Sequence, residues 1–324
     1  MTTMPTEALM RKRRRPQLPV TSRSMALFRL GETCNNHCPM CSNSGRPEAF
    51  LIKEKELFAR VDRLVSWGFQ RVILTGGEPT IHPSFLKVAS ALRAKNIAFD
   101  INTHGRSFAK KGLAETCVGF GLERAIVSLH SHKEQPSCAM SGFSARAHED
   151  TLRGIDALIE AGVAVSINLV MSTHNLDHLT EFVHYCAERF GTETAIKLCF
   201  PYTGGKGGDW QAIQLRYTEV QQPLREAIAR GQQLGVHILT ESVPNCIHGD
   251  AESSDTSRSG FGETHYLEDV HGLEIFPMRY IEAQLKVWPH RCRQCPALSR
   301  CPGVQEAYAK AYGVEEFSPF AIEH

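Results

Sequence analysis

Cys34-Asn35-Asn36-His37-Cys38-Pro39-Met40-Cys41 puts three cysteines into eight residues, directly after the first apolar run that reads as a strand, Ala26–Leu30. Thiolates suit zinc or iron–sulfur clusters. Three of them in one short loop can close around a single centre. Zinc would want a fourth ligand, and His37 stands in the loop to supply it. A four-iron cube held by three thiolates would instead leave one iron open. The loop alone permits both.

Outward from the loop, the chain alternates strand and helix. The pattern predicts strands at Ala26–Leu30, Arg71–Thr75, Ala98–Asn102, Arg124–Leu129, Val163–Met171 and Ala195–Phe200. Between them it predicts helices over Glu54–Trp67, Ser84–Lys95, His148–Ala161 and Asp177–Arg189. Leu57, Val61, Leu64 and Val65 recur at helical spacing, as do Leu152, Ile155 and Ile159. Each strand reads as a near-continuous apolar run, which suits a parallel sheet buried on both faces. Six such units are too few for a closed eight-unit barrel. The expected fold class is therefore α/β, a partial (β/α)6 TIM-like barrel with a small C-terminal region.

Such a barrel works at the C-terminal ends of its strands. Three telling loops fall there: Cys34–Cys41 after the first strand, Thr75-Gly76-Gly77-Glu78-Pro79-Thr80 after the second, and Thr103–Gly105 after the third. Two glycines let backbone approach a ligand, Pro79 fixes the exit, and Glu78 offers an acceptor suited to an ammonium group. A tight strand-to-helix turn would also use Gly-Gly.

The expected organisation is a flexible tail over 1–24, the barrel over 25–203 and a C-terminal region over 204–324. The tail holds the basic run Arg11–Arg15, read as a solvated arm. Gly204–Gly208 reads as a hinge or lid, since it lacks the Lys-Ser/Thr ending of a phosphate-binding loop. A helix over Glu219–Gln233 and a strand over Val236–Thr240 follow, and the polar stretch 249–264 reads as a long mobile loop.

With 324 residues, a net charge of +1 and 42% apolar residues, the composition excludes binding of nucleic acid by bulk charge. No apolar run reaches the roughly 18 residues of a membrane span. Residues Met1–Ser24 lack the apolar centre of a secretory signal. Eleven cysteines are far from a disulfide scaffold. Their grouping points to metal ligands in a reducing cytoplasm. Cys292-x2-Cys295-x5-Cys301 forms a second group, with Cys246 upstream as the fourth ligand. Four thiolates complete a cluster with no open iron, or hold a zinc knuckle. Cys117, Cys138, Cys186 and Cys199 read as structural. His82, His130 and His132 lie near the active-face loops and take no assigned role.

The cysteine loop followed about forty residues later by Gly-Gly-Glu-Pro resembles the radical S-adenosylmethionine (SAM) superfamily, over roughly residues 26–200. The resemblance implies that Cys34, Cys38 and Cys41 hold a [4Fe–4S] cluster whose fourth iron is chelated by SAM. Gly76, Gly77, Glu78 and Pro79 would meet the SAM ammonium. Met40 stands where the family often has an aromatic residue against adenine. Asn102 and Thr103 match a polar pair near SAM, while Ser128 and Asn168 match contacts to the SAM carboxylate or ribose. The Cys246/Cys292/Cys295/Cys301 tail resembles the auxiliary-cluster tails of the twitch and SPASM types, with one auxiliary [4Fe–4S] cluster.

The chemistry so implied is one-electron cleavage of SAM and hydrogen abstraction, with electrons from a donor such as flavodoxin or ferredoxin. No nucleic-acid or membrane partner is implied. The substrate would be a peptide, as for a ribosomal peptide maturase, or a small metabolite to be oxidised or rearranged. The N-terminal stretch is too short for a separate peptide-recognition domain, but the 249–264 loop and the glycine hinge could frame a cleft. A non-catalytic iron–sulfur or zinc protein would explain the cysteines without explaining Gly76–Pro79.

Overall fold

The computed structural model describes residues 20–41, 50–202, 213–250, 264–268, 274–278 and 283–321. The glycine hinge and most of the 249–264 stretch lie outside these; Thr264 itself opens a strand. In chain order the first half comprises β1 (Ser24–Arg29), α1 (Glu54–Ser66), β2 (Arg71–Thr75), α2 (Phe85–Ala94), β3 (Ala98–Thr103), α3 (Leu113–Gly119), β4 (Leu122–Ser128) and α4 (Glu134–Ser141). Next come α5 (Ala145–Glu160), β5 (Ala164–Val170), α6 (Leu179–Phe190), β6 (Ala195–Cys199), α7 (Tyr217–Leu234), β7 (Ile238–Glu241) and α8 (Asn245–His248). The described chain closes with β8 (Thr264–Glu268), β9 (Ile275–Pro277), β10 (Lys286–Val287), β11 (Val304–Gln305) and α9 (Glu306–Tyr312).

The main sheet runs β7-β6-β5-β4-β3-β2-β1-β8-β9. Neighbours are parallel from β7 through β1 to β8, and only β9 runs antiparallel. This is the α/β partial barrel expected, with all six foreseen strands present. It is also wider. β7 pairs in parallel with β6 through Ile196↔Ile238, and β8 joins the other edge through Ala26↔Tyr266.

Successive strand residues point to opposite faces, and the two faces differ. Phe28, Phe99, Ile101, Val127, Ile167 and Leu198 pack with Leu57, Leu64, Val88, Ile155 and Phe182 of the helices in one core cluster. Each such side chain contributes about 1.5–3 kcal/mol by leaving water. The opposite, inner face is only half-buried at Arg29, Asn102, Ser128, Asn168 and Lys197. The strands are therefore not buried on both faces as their apolar content suggests. A sheet that curls with its helices outside can line its hollow with polar groups.

The C-terminal segment is fastened to the barrel by aromatic rings. Tyr217 stacks on Phe200 at 3.7 Å and meets Tyr308 and Phe317 edge-on at 4.8 and 5.2 Å. The Gln305 side chain donates to the Pro201 carbonyl at 3.1 Å. Tyr308 OH donates to Glu316 at 2.6 Å.

Two buried histidines carry a stability consequence. Burial pushes His130 and His248 down to about 4, so the fold holds both neutral. Unfolded, each titrates near 6.5. Below that pH the unfolded chain binds protons that the native state refuses, and stability falls with falling pH. Urea unfolding of the metal-free protein is expected to show stability declining from pH 6.5 toward pH 4. A flat profile across that window contradicts neutral burial.

Candidate active site and metal centres

The loops that leave β1 to β4 meet at the C-terminal end of the sheet. Residues 30–33, just ahead of the cysteine loop, are zipped to the glycine loop by backbone bonds. Leu30 N–H donates to the Thr75 carbonyl, Gly77 N–H to Gly31 and Glu78 N–H to Thr33, at 3.1, 3.0 and 2.9 Å. The two glycines make this approach possible. A Cβ on Gly76 would lie 2.1 Å from the Gly31 carbonyl oxygen, and one on Gly77 would lie 2.1 Å from that of Thr33. Their small size thus serves backbone-to-backbone packing beneath the cysteine loop.

Glu78 is turned into the protein. One carboxylate oxygen accepts from Thr80 N–H, Thr80 Oγ1 and Thr103 Oγ1 at 3.1, 2.6 and 2.8 Å. The other accepts from His104 N–H at 2.8 Å. This ties the loop after β2 to the loop after β3. Asn102 and Thr103, grouped by the sequence as a polar pair, point to opposite faces. Thr103 is buried and also accepts from Gly105 N–H. The buried Asn102 Oδ1, on the inner face, has no hydrogen-bond partner among the described residues.

The cysteine loop is clamped from two further sides. His104 Nδ1 accepts from Arg106 N–H at 3.2 Å, so Nε2 carries the proton and donates to Asn35 Oδ1 at 2.7 Å. Burial lowers the His104 pKa against the pull of Glu78, keeping the ring neutral. Arg106 Nη2 donates to the Asn35 carbonyl at 2.8 Å. From the other side His37 N–H donates to Ser141 O, at the end of α4, at 2.9 Å. Gly142 lets that turn close in, since a Cβ there would sit 2.4 Å from His37 O. Asn35, His104 and Arg106 were not singled out from the sequence. The only signal was a polar run, Thr103 to Arg106, at a strand's C-terminal end.

Cys34, Cys38 and Cys41 form no disulfide and are partly buried. Cys41 N–H closes a turn onto Cys38 O at 3.2 Å, with Met40 half-buried inside it. Burial pushes Cys38 up to about 12, and the charges of Cys41 and Cys34 add to this. Such thiols stay protonated until a metal displaces the proton. Ser128 and Asn168 are cross-strand partners on the inner face, and Cys199 Sγ donates to Asn168 Oδ1 at 3.2 Å. Lys197, in register with Asn168, pairs with Glu241 at 2.7 Å.

The second cysteine group also comes together. Cys246, Cys292, Cys295 and Cys301 line one small, partly open pocket, walled by Trp288, Phe317 and Leu298 among others. Burial pushes Cys246 up to about 11, with Cys301 and Cys292 adding to it, and the Cys292 thiol is raised by burial, Cys301 and Cys295. Four thiols around one apolar hollow fit a cluster ligated entirely by protein. Among the described residues, no three His, Cys, Asp or Glu side chains already close around a single ion. Of the remaining cysteines, Cys117, Cys186 and Cys199 are buried and Cys138 is half-buried. His82 caps its own turn, accepting from Ser84 N–H at 3.0 Å.

Residues 28–186 match the family model described as the radical SAM superfamily, and the chain belongs to that superfamily through this stretch. The family's cofactors are a [4Fe–4S] cluster and SAM. A curated relative from Thermoplasma volcanium, "Probable GTP 3',8-cyclase", is 28% identical over 205 residues, covering 62% of this chain and 61% of the relative. The chain spans between 50% and 61% of the curated relatives of this kind. Among solved structures, Streptococcus suis SuiB bound to S-adenosylmethionine superposes with a TM-score of 0.61 at 13% identity, covering 89% of this chain and 74% of that one. SuiB bound to precursor peptide SuiA gives a TM-score of 0.53 at 15% identity, with 67% and 48% covered. Among the described residues no helix is long and apolar enough to cross a membrane.

Proposed function

We propose that the chain is a radical SAM enzyme that acts on a peptide, with one SAM-binding [4Fe–4S] cluster on Cys34, Cys38 and Cys41 and one auxiliary cluster on Cys246, Cys292, Cys295 and Cys301. The observation that carries the reading is the convergence of four strand-end loops on the cysteine triad, with a separate four-cysteine cavity elsewhere. When bound, the cluster and SAM supply a 5′-deoxyadenosyl radical that takes a hydrogen atom from substrate. The chain's own part is to bind and orient. Glu78 and the two glycines hold the loops after β1, β2 and β3 in register. Asn102, Ser128 and Asn168 present hydrogen-bonding groups toward the hollow of the sheet, where SAM would lie against the strand ends, with Met40 beside the adenine. A small one-electron donor of the flavodoxin or ferredoxin type would serve the triad.

The peptide reading is supported by SuiB, which shares the fold and is bound to its precursor peptide SuiA in one structure. A nucleotide is the second reading, favoured by the relatives named for GTP 3',8-cyclisation. The test is anaerobic reconstitution, reduction with dithionite and incubation with SAM. Candidate precursor peptides or GTP are added in separate arms. A peptide is expected to raise 5′-deoxyadenosine formation at least about tenfold above the substrate-free rate, a difference of ~1.4 kcal/mol in the barrier. Stimulation by GTP alone would replace the peptide reading, and absence of 5′-deoxyadenosine in every arm would remove the enzyme reading.

A further inference from the structure

We propose that Arg106 positions the Cys34/Cys38/Cys41 centre and tunes it, holding the cysteine loop through Asn35 and supplying a fixed positive charge that raises the reduction potential of the cluster. This rests on the assignment of the SAM-binding cluster to those three cysteines.

Three observations support it. Arg106 Nη2 bonds the carbonyl of Asn35, the residue that follows Cys34. The guanidinium lies over the Phe143 ring at 4.4 Å, which fixes its plane. Its buried Nε–H has no hydrogen-bond partner among the described residues, leaving a donor for an acceptor carried by the cluster.

The other charged groups facing Arg106 are Glu78 and Asp150. Glu78 is engaged by Thr80, Thr103 and His104, and Asp150 pairs with Arg153. His104, packed beside Arg106, is neutral. Arg106 is thus the cation set against the thiolates, offsetting the Glu78 carboxylate. Nearby charge and hydrogen bonds to sulfur are the means by which a protein sets a cluster's potential. A positive charge favours the reduced, more negative cluster.

The test is an EPR-monitored redox titration at low salt of the full chain and of Arg106→Met, Arg106→Gln and Arg106→Lys, following the signal that added SAM perturbs. Arg106→Met and Arg106→Gln are expected to lower the reduced fraction at a given potential about tenfold, a shift of about 59 mV for one electron. Arg106→Lys is expected to restore most of it. Gln retains a donor for the Asn35 carbonyl, so it separates charge from anchorage if the Met variant fails to hold iron. A Gln variant at the wild-type potential overturns the tuning role, whether or not Met holds its cluster. A wild-type signal that SAM does not perturb overturns the centre itself, and this proposal with it.

Discussion

Replacing Cys34, Cys38 and Cys41 together by alanine is expected to abolish 5′-deoxyadenosine formation and leave about four irons per chain. Loss of activity follows if SAM binds at this centre, for no other described loop at the C-terminal ends of the main sheet's parallel strands offers three cysteines. The residual iron is the sharper part of the prediction. The two cysteine groups are independent in the fold: one is clamped between the loops after β1 to β4, the other lines a cavity closed by the C-terminal segment. Emptying the first removes no wall of the second. Iron near zero would mean that the two groups depend on each other. Iron near eight would mean that the triad is not a ligand set.

Gly77→Ala is the second large effect. Its Cβ would meet Thr33 O at 2.1 Å and Glu32 O at 2.5 Å, both backbone atoms with no rotamer to yield. Overpacking costs typically ~1–3 kcal/mol where side chains can adjust, occasionally more. Here the backbone itself must move, and with it the pairing that holds residues 30–33 beneath the cysteines. The expected result is a lowered denaturation midpoint together with loss of iron from the first centre. Gly119→Ala is the control, since a Cβ there has nothing within 4 Å. Equal behaviour of the two variants would show that the close approach does not support the site.

The strands and the loops after them could be read because their signals are local. An apolar run bounded by glycine, or three cysteines in eight residues, needs no partner to be recognised. What escaped was pairing between distant segments. Nothing in Thr264–Glu268 announces that it lies beside β1. Asn35 reads as filler until His104 and Arg106 arrive from about seventy residues away. Gly76 and Gly77 suggested backbone approach to a ligand, while the segments they also pack against, at Gly31 and Thr33, could not be read from their sequence. The half-buried inner face was hidden for a similar reason, as Asn102, Ser128, Asn168 and Lys197 each stand alone within an apolar strand.

The place of β8 bears on when the protein can mature. Ala26 pairs with Tyr266, about 240 positions later. At roughly 5–20 residues per second, tens of seconds of synthesis separate the strand carrying the cysteine loop from its outer neighbour. Pairings this distant also form late and slowly, because loop closure must be met before contacts repay it. On the ribosome the nascent cysteine loop therefore leaves a strand with one flank bare. Delivery of iron and sulfide to a finished site is then an event that follows the return of β8 to the flank of β1.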